Sequence, residues 1–276
     1  CRETAPLHEL DASFNNTVKH VQTETVMDGS MARYAIEMAR VIAGDEERMR
    51  RRPPLSSLIC TIAPLAQDGH GIETALVYAE AGIPTSFMAM PTMGSTAPAT
   101  PLGALVVGDA EVVSGMVLVQ LAYPGAPVFH SNYISLMHPR TGAYVAEIPI
   151  PVGWMAVQMA HAWGVPSLGG GSVSVDAAEV GWEAGLDTGS GAMMIPLYGG
   201  EICGFLGLTG SSMILHPEHM ILQHEACQYA YDLLHGFQFD AADMASSGST
   251  WLVGAAVSIR TVSVCTSSSL PAASDE

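Results

Sequence analysis

Alternating strand-like and helix-like segments are the feature that most constrains the fold of this 276-residue chain. Short runs rich in apolar and β-branched residues alternate about six times with segments of helical periodicity. The predicted strands are 20–26, 55–62, 85–90, 127–133, 165–168 and 192–198, and the predicted helices are 30–43, 71–81, 102–121, 153–162, 177–186 and 217–234. This order is typical of βα units that build a parallel sheet, so we predict an α/β fold.

The pattern alone leaves open whether the sheet is a doubly wound layer or a closed barrel. No GxGxxG sequence follows the first strand, which weakens the dinucleotide-binding alternative. A complete (β/α)8 barrel needs eight units. Since about six are recognisable, a barrel of this sequence would lack one or two of them.

The distribution of basic residues excludes several classes of function. The formal net charge is −17, and Lys19 is the single lysine of the chain. Five arginines lie in 40–52, and only Arg140 and Arg260 follow them. Neutralising nucleic-acid phosphates needs many Lys and Arg side chains, so we expect no nucleic-acid partner. Schiff-base and pyridoxal chemistry need a lysine amine, which the segment after Lys19 cannot supply.

Membrane insertion is not expected either. The longest apolar stretch, 102–123, is interrupted by Asp109, Glu111 and Gln120. The first residues also lack the apolar core of a signal peptide. We therefore predict a cytoplasmic protein without a membrane partner.

The cysteines and histidines do not form a recognisable metal motif. The five cysteines are scattered without CxxC or CxxH spacing, and His216, His219 and His224 lack the spacing of helical ligand pairs. We expect no metal site in this chain.

Several segments, in the order in which they occur, are similar to those of the trimethylamine methyltransferase (MttB) family. They are RRPPLS at 51–56, AEAGIP at 79–84, MPTMGSTAPAT at 90–100, GDAEVVSG at 108–115, PGAPV at 124–128, RTGA at 140–143, VQMAH at 157–161, GVPS at 164–167 and PEHMIL at 217–222. The likeness runs from about residue 19 to about residue 236. It implies a TIM (β/α)8-type barrel that is incomplete at the N-terminus, with a partial methyltransferase domain at 1–244. The Ser-rich segment 245–276 is expected to be a tail that is disordered or aberrant.

The resemblance implies transfer of a methyl group from a methylated amine to the Co(I) of a separate corrinoid protein. The partners would then be a small methylated amine and the cognate corrinoid protein, with no cofactor bound directly by this chain. Some members carry pyrrolysine near the stretch that here reads GLTGS at 207–211. The ordinary residues found here look more similar to the branch without pyrrolysine, which resembles demethylases of quaternary amines such as glycine betaine.

Two departures from the family pattern bear on activity. A lysine expected in a Thr-Asp-Ala-Lys-like stretch is Ala178 here, and no glycine-rich segment is recognisable after Asp243.

An incomplete barrel also leaves sheet edges that favour association, so the possibility of a homo-oligomer stays open. The alternatives are a truncated, non-catalytic paralogue that binds the amine or the corrinoid protein, and a barrel lyase of another class.

Candidate site residues come from the carboxyl ends of the predicted strands, where barrel enzymes carry their chemistry. A quaternary ammonium is bound by aromatic faces and nearby carboxylates. The substrate-binding candidates are Met90, Phe129, Tyr133, Asp176 and Tyr198, and the catalytic candidates are His130 and Glu201.

The two catalytic candidates matter only for a tertiary amine. The leaving group of a quaternary amine is already neutral, whereas a tertiary amine would need an acid such as His130 or Glu201. Structural roles remain open for the same residues. Phe129 could fill the barrel, Asp176 could cap a helix, and His130 could be a hydrogen-bonded core histidine.

Overall fold

A computed structural model describes residues 4–145, 152–169 and 173–236 of the chain. The helices are α1 Ala5–Asn16, α2 Gly29–Ala43, α3 Glu46–Arg51, α4 Gly69–Ala81, α5 Pro101–Ala122, α6 Val152–Ala162, α7 Trp182–Leu197 and α8 Pro217–His235. The strands are β1 Val21–Thr23, β2 Leu55–Cys60, β3 Thr85–Ala89, β4 Thr92–Met93, β5 Val128–Asn132, β6 Ser135–Met137, β7 Tyr144–Val145, β8 Leu208–Thr209 and β9 Ile214–Leu215.

The main sheet is parallel, and its strands follow one another in sequence order. Hydrogen bonds join β1, β2, β3 and β5 in that order. Isolated parallel bridges from His130 to Ser167 and from Leu168 to Ile202 continue the same order. The predicted parallel α/β class is confirmed. An order without reversal is compatible with a barrel-like fold, whereas a doubly wound sheet reverses at a switch point. Closure of the sheet is not seen among the described residues.

Helix boundaries follow local capping chemistry. The side chain of Asp28 accepts hydrogen bonds from the backbone of Ser30 and Met31 and thereby begins α2. Asp68 caps α4 in the same way, and Gly82, with a φ of 77°, ends it in the left-handed conformation. These signals are readable in the sequence, which is why α2 and α4 lie within two residues of their predicted bounds.

The predicted strand 192–198 is wrong, since these residues form the second half of α7 and its end. The predicted helix 177–186 begins and ends too early, since α7 spans Trp182–Leu197. Ala184, Thr188, Ala192 and Ile195 are buried at helical spacing. The glycines of this segment lower helix propensity, and a short apolar run does not distinguish a strand from a buried helix. Burial against α8 stabilises the helix here.

The predicted N-terminal and C-terminal segments have different outcomes. Residues 5–16, for which we predicted no element, form α1, whose Leu10 is buried in the core cluster beneath α2. The predicted tail 245–276 lies outside the described residues.

The outer face of the sheet packs against the helices. Side chains alternate between the two faces of a strand. In one row across three strands, Ile59, Phe87 and His130 are paired in register and buried towards the helices. Gly115 of α5 lies against Phe87, so close that a Cβ atom there would sit 2.5 Å from the Phe87 ring. The absent side chain is what lets α5 approach β3 this closely.

The inner face of the sheet carries a separate, smaller cluster. Two registered rows lie on it, one of Leu58, Ser86 and Phe129 and one of Cys60, Met88 and Ser131. These rows alternate with the helix-facing rows, so they point away from α4 and α5.

Helix α5 is 22 residues long and is apolar enough, by length and composition, to cross a membrane. Among the described helices it alone has these properties. Half of its apolar window is buried in this fold, and Asp109 and Glu111 are buried with it. These features are those of a core helix between a sheet and its neighbours.

Candidate functional site

An apolar cluster fills the inner face of the sheet. Leu58, Met88, Phe129 and Leu168 are buried together, and the partly buried Cys60, Ile202 and Phe205 pack against them. The cluster contains residues from β2, β3 and β5 and from the two bridged positions, Leu168 and Ile202. It thus forms a floor beneath the carboxyl ends of the strands, where parallel α/β proteins bind their ligands.

An aromatic pair lies at the carboxyl end of this floor. Tyr133 follows β5 directly, and its ring centroid is 6.3 Å from that of Phe205 at an interplanar angle of 57°. The backbone N–H of Tyr133 donates to the carbonyl of Ala89, which fixes the residue beside the end of β3. Phe205 has a φ of 70°, a left-handed conformation that costs about 1–2 kcal/mol for a bulky residue. Residues that the surrounding structure holds in such a strained backbone conformation are typical of functional sites.

A carboxylate lies at the same end of the sheet, on the side of β1. Glu24 follows β1 and keeps the alternation of Gln22, which is paired in register with Ser56 on the inner face. Burial first, and the charge of Glu9 second, raise the pKa of Glu24 above its ordinary value. Burial raises the pKa of the Cys60 thiol, and the nearby Glu24 charge adds to this effect. Glu24 therefore lies close to Cys60, at the carboxyl edge of β2.

Three arginines lie on the outer, helical side of the protein, away from this inner face. Arg33, Arg40 and Arg50 line an outer groove among α2, α3 and α4. Ion pairs there join Arg40 to Glu37 at 2.7 Å and Arg50 to Glu46 at 3.3 Å. Lys19 precedes β1, and Arg140 lies exposed in the turn after β6. Among the described contacts, no lysine or arginine side chain forms an ion pair with Glu24.

The loop after β2 is fastened to α5 by a buried carboxylate. Glu111 is 1% exposed and accepts hydrogen bonds from the Thr61 hydroxyl at 2.5 Å and from the Leu65 backbone at 2.8 Å. The Gln67 amide donates to the Glu111 carbonyl. These contacts hold the loop at the carboxyl end of β2, so the edge of the candidate site beside Cys60 is fixed.

The structure places His130 on the opposite face from the candidate site. Its imidazole is fully buried between the sheet and α5, and Nε2 lies 3.0 Å from the Asp109 carboxylate. The Trp163 indole N–H donates to the same carboxylate. This is the hydrogen-bonded core histidine that the sequence left open. Since adjacent residues of a strand face opposite ways, Phe129 faces the inner cluster and His130 does not.

Glu201 lies at the other end of the sheet. Its carboxylate accepts from the backbone N–H of Ser167 and pairs with His161, at the end of α6, at 2.8 Å. Helix α6 precedes the strand position at Ser167, so its C-terminal end lies where that strand begins. The Glu201–His161 pair is therefore at the amino-terminal edge of the sheet. The geometry gives Glu201 a structural contact, and no described contact brings it near the aromatic pair.

The substrate-binding candidates divide into two groups. Phe129 and Tyr133 lie in or beside the inner cluster, and Met90, 40% exposed, follows β3 at the same end of the sheet. Asp176 instead accepts from the Ser211 hydroxyl at 2.6 Å, in the turn between β8 and β9. Tyr198 follows α7 as its C-cap, so its predicted place at a strand end is wrong.

The sequence analysis did not predict Glu24 or Phe205 as site residues. Glu24 was placed inside a strand predicted to run to residue 26, whereas β1 ends at Thr23. Phe205 follows the strand position at Ile202, which was not predicted because the strand was predicted at 192–198 instead. In both cases the informative signal is the residue just after a strand, which requires the strand end to be known.

In residues 4–145, 152–169 and 173–236, no group of three or more His, Cys, Asp and Glu side chains is arranged to hold a metal ion.

Comparison with known proteins identifies the family. The model of the trimethylamine methyltransferase family matches residues 6–250, which is most of the chain. The chain belongs to the trimethylamine methyltransferase family. The predicted resemblance is thereby confirmed, and with it a place in a family of methyltransferases.

Individual relatives in the family carry two substrate names. A trimethylamine methyltransferase MttB of Desulfitobacterium hafniense is 35% identical over 158 residues, which cover 57% of this chain and 30% of the relative. A glycine betaine methyltransferase of the same species is 29% identical over 214 residues, 76% of this chain and 44% of the relative. A trimethylamine methyltransferase MttB of Methanosarcina barkeri is 27% identical over 223 residues, 79% and 44%. The chain thus spans less than half the length of these relatives.

Proposed function

We propose that this chain is a methylamine methyltransferase whose methyl donor is a quaternary amine of the glycine betaine class. The methyl acceptor would be the Co(I) centre of a corrinoid carried by a separate partner protein. The observation that carries the proposal is the inner carboxyl end of the sheet, where Glu24 and the Tyr133–Phe205 pair lie and where, among the described residues, no lysine or arginine forms an ion pair with Glu24.

The chemistry of the site suits a permanently charged amine. A trimethylammonium group has no proton to donate, so its binding depends on aromatic faces and on a nearby negative charge. Each aromatic contact contributes about 0.5–2 kcal/mol in such sites. The apolar floor of Met88 and Phe129 would exclude water beneath the methyl groups.

Barrel closure completes this proposal. Neighbouring strands lie about 4.8 Å apart, so β1 and β5 are separated along the sheet by about three such spacings. In a closed barrel the curvature would bring Glu24 towards Tyr133 from the other side of the interior. The amine would then be held between the carboxylate and the two rings.

The residues of this chain would orient the substrate rather than act as acid catalysts. The leaving group from a quaternary amine is a neutral tertiary amine, so no proton has to be delivered to it. The site would orient one N-methyl group outwards, towards an acceptor that approaches in line from the open end. This agrees with the placement of His130 and Glu201 away from the aromatic pair.

Replacing Glu24 with glutamine tests the role of its charge. We expect the affinity for glycine betaine to fall about two- to fivefold, because the Glu24 side chain is exposed and an opposite charge at an exposed site contributes on the order of 0.5–1 kcal/mol. In the wild type, affinity should fall as the pH drops through the raised pKa of Glu24, because protonation removes the charge. Calorimetric titration over a range of pH measures both effects.

A matched substitution controls for net charge. Glu47 is exposed on α3, on the outer surface, and Glu47→Gln makes the same change of charge. This variant should bind betaine as the wild type does and keep the pH dependence. Equal affinities for the wild type and Glu24→Gln at every pH would remove Glu24 from the site.

Transfer of the methyl group is tested separately from binding. Betaine carrying isotope-labelled N-methyl groups is incubated with the chain and a reduced corrinoid protein, and label in the partner is counted. Label that appears only with both proteins present supports the transferase. Betaine binding without transfer would contradict it and leave the non-catalytic binding protein.

A further inference from the structure

Three basic side chains lie together at the amino-terminal edge of the main sheet. Lys19 precedes β1, and Arg51 and Arg52 precede β2. The two strands are parallel and their first residues are paired in register, so the two segments enter the sheet side by side. A hydrogen bond from Nδ1 of His20 to the Pro53 carbonyl, at 3.0 Å, joins the two segments. We call Lys19, Arg51 and Arg52 the basic edge.

The charges of the basic edge are not neutralised by ion pairs. All three residues are exposed, and none of them belongs to an ion pair formed between described residues. The other two arginines of α3, by contrast, pair with Asp45 at 3.4 Å and with Glu46 at 3.3 Å. The segments that enter β3 and β5, 82–84 and 123–127, contain no charged residue. The basic edge therefore has unpaired positive charge, and no acidic residue lies in these neighbouring segments.

This edge contrasts with the charge of the chain as a whole. The chain has 27 acidic residues against ten lysines and arginines, a formal net charge of −17. An anionic partner is repelled by the net charge and attracted at the basic edge, so electrostatics would orient its approach. The basic edge lies at the opposite end of the strands from Glu24 and Tyr133. A partner bound there would leave the candidate substrate site open.

We propose that the basic edge is a docking surface for an acidic segment of another protein. The guanidinium groups of Arg51 and Arg52 can each bind a carboxylate through two N–H donors, and Lys19 adds a third cation. A nucleic acid fits less well, since strong binding uses on the order of 6–10 phosphate contacts and the edge offers three cations. An anionic membrane would bring the whole acidic chain against a surface of the same sign. This docking does not depend on the proposed methyl transfer.

Fluorescence anisotropy with a labelled decaglutamate peptide tests the surface. We expect saturable binding at low ionic strength that weakens steadily as salt is added, because exposed charges are screened. A Ser–Gly peptide of the same length, which is uncharged, should not bind. Saturating glycine betaine should leave the affinity for decaglutamate unchanged, since the two sites lie at opposite ends of the strands. No saturable binding of decaglutamate, or competition by betaine, would overturn the proposal.

Substitutions at the basic edge locate the binding. Arg51→Gln and Arg52→Gln should each weaken decaglutamate binding about two- to threefold, and the double variant about fivefold or more, because exposed ion pairs contribute modestly. Arg140→Gln makes the same change of charge at an exposed residue after β6, and this matched control should bind as the wild type does. All of these residues are exposed, so each variant should unfold at the urea concentration of the wild type.

Two results with these variants and other probes would contradict the proposal. A double variant that binds decaglutamate as tightly as Arg140→Gln does would remove the basic edge from the interaction. Tighter binding of oligothymidine, or of vesicles containing phosphatidylserine, than of decaglutamate would overturn the choice of a protein partner.

Discussion

Asp109→Ala should lower the free energy of unfolding by about 3 kcal/mol, since it removes the partner of a fully buried imidazole. The Asp109 carboxylate accepts from His130 Nε2 at 3.0 Å and from the Trp163 indole at 3.1 Å. His130 Nδ1 has no other partner among the described residues, so the ring would be left without any. Urea unfolding followed by circular dichroism measures the change.

Two further variants show whether the loss comes from this contact. Asp109→Asn keeps one acceptor oxygen, so it should cost less than the alanine. Glu37→Ala removes an exposed carboxylate paired with Arg40 and should change stability by less than about 1 kcal/mol. An Asp109→Ala protein that unfolds at the same urea concentration as the wild type would contradict the buried position of His130.

Gly115→Ala should also destabilise the protein strongly, although it adds only one methyl group. The new Cβ would lie 2.5 Å from Cδ1 and 2.6 Å from Cγ of Phe87, a ring that is fully buried. Either α5 or β3 must move, which typically costs about 1–3 kcal/mol in a packed core. The same urea experiment measures this loss.

A second glycine provides the control for helix propensity. Gly185 lies in α7 with no atom within 4 Å of its added Cβ, so Gly185→Ala should raise stability by about 0.5–1 kcal/mol. Phe87→Leu should recover part of the loss when combined with Gly115→Ala. If Gly115→Ala is as stable as Gly185→Ala, the close packing of α5 on β3 is incorrect.

Local chemistry explains which elements were predictable from the sequence. Asp28, Asp68 and Gly82 mark the ends of α2 and α4, and the apolar runs of β2, β3 and β5 are bounded by turn residues. The strand placed at 192–198 failed because burial against α8 overrides the weak helix propensity of a glycine-rich segment. That contact is long-range and cannot be seen in the sequence around it.

The candidate site was predictable only in part, for a geometric reason. Phe129 and Tyr133 were expected at the end of β5; Tyr133 directly follows the strand, whereas Phe129 is its second residue and lies in the inner cluster. His130 was expected beside them but faces α5, because a shift of one residue along a strand changes the face. Which face is the inner one follows from the packing of whole helices, so sequence alone could not separate Phe129 from His130.

The central claim is that the inner carboxyl end of the sheet binds a quaternary ammonium through its charge. The most direct test is calorimetric titration of the wild type with glycine betaine and with 3,3-dimethylbutanoate, which has the same shape but carbon in place of the charged nitrogen. Our account predicts saturable binding of betaine and much weaker binding of the neutral-centred analogue. Equal binding of the two, or no binding of betaine to a cooperatively folded sample, would contradict it.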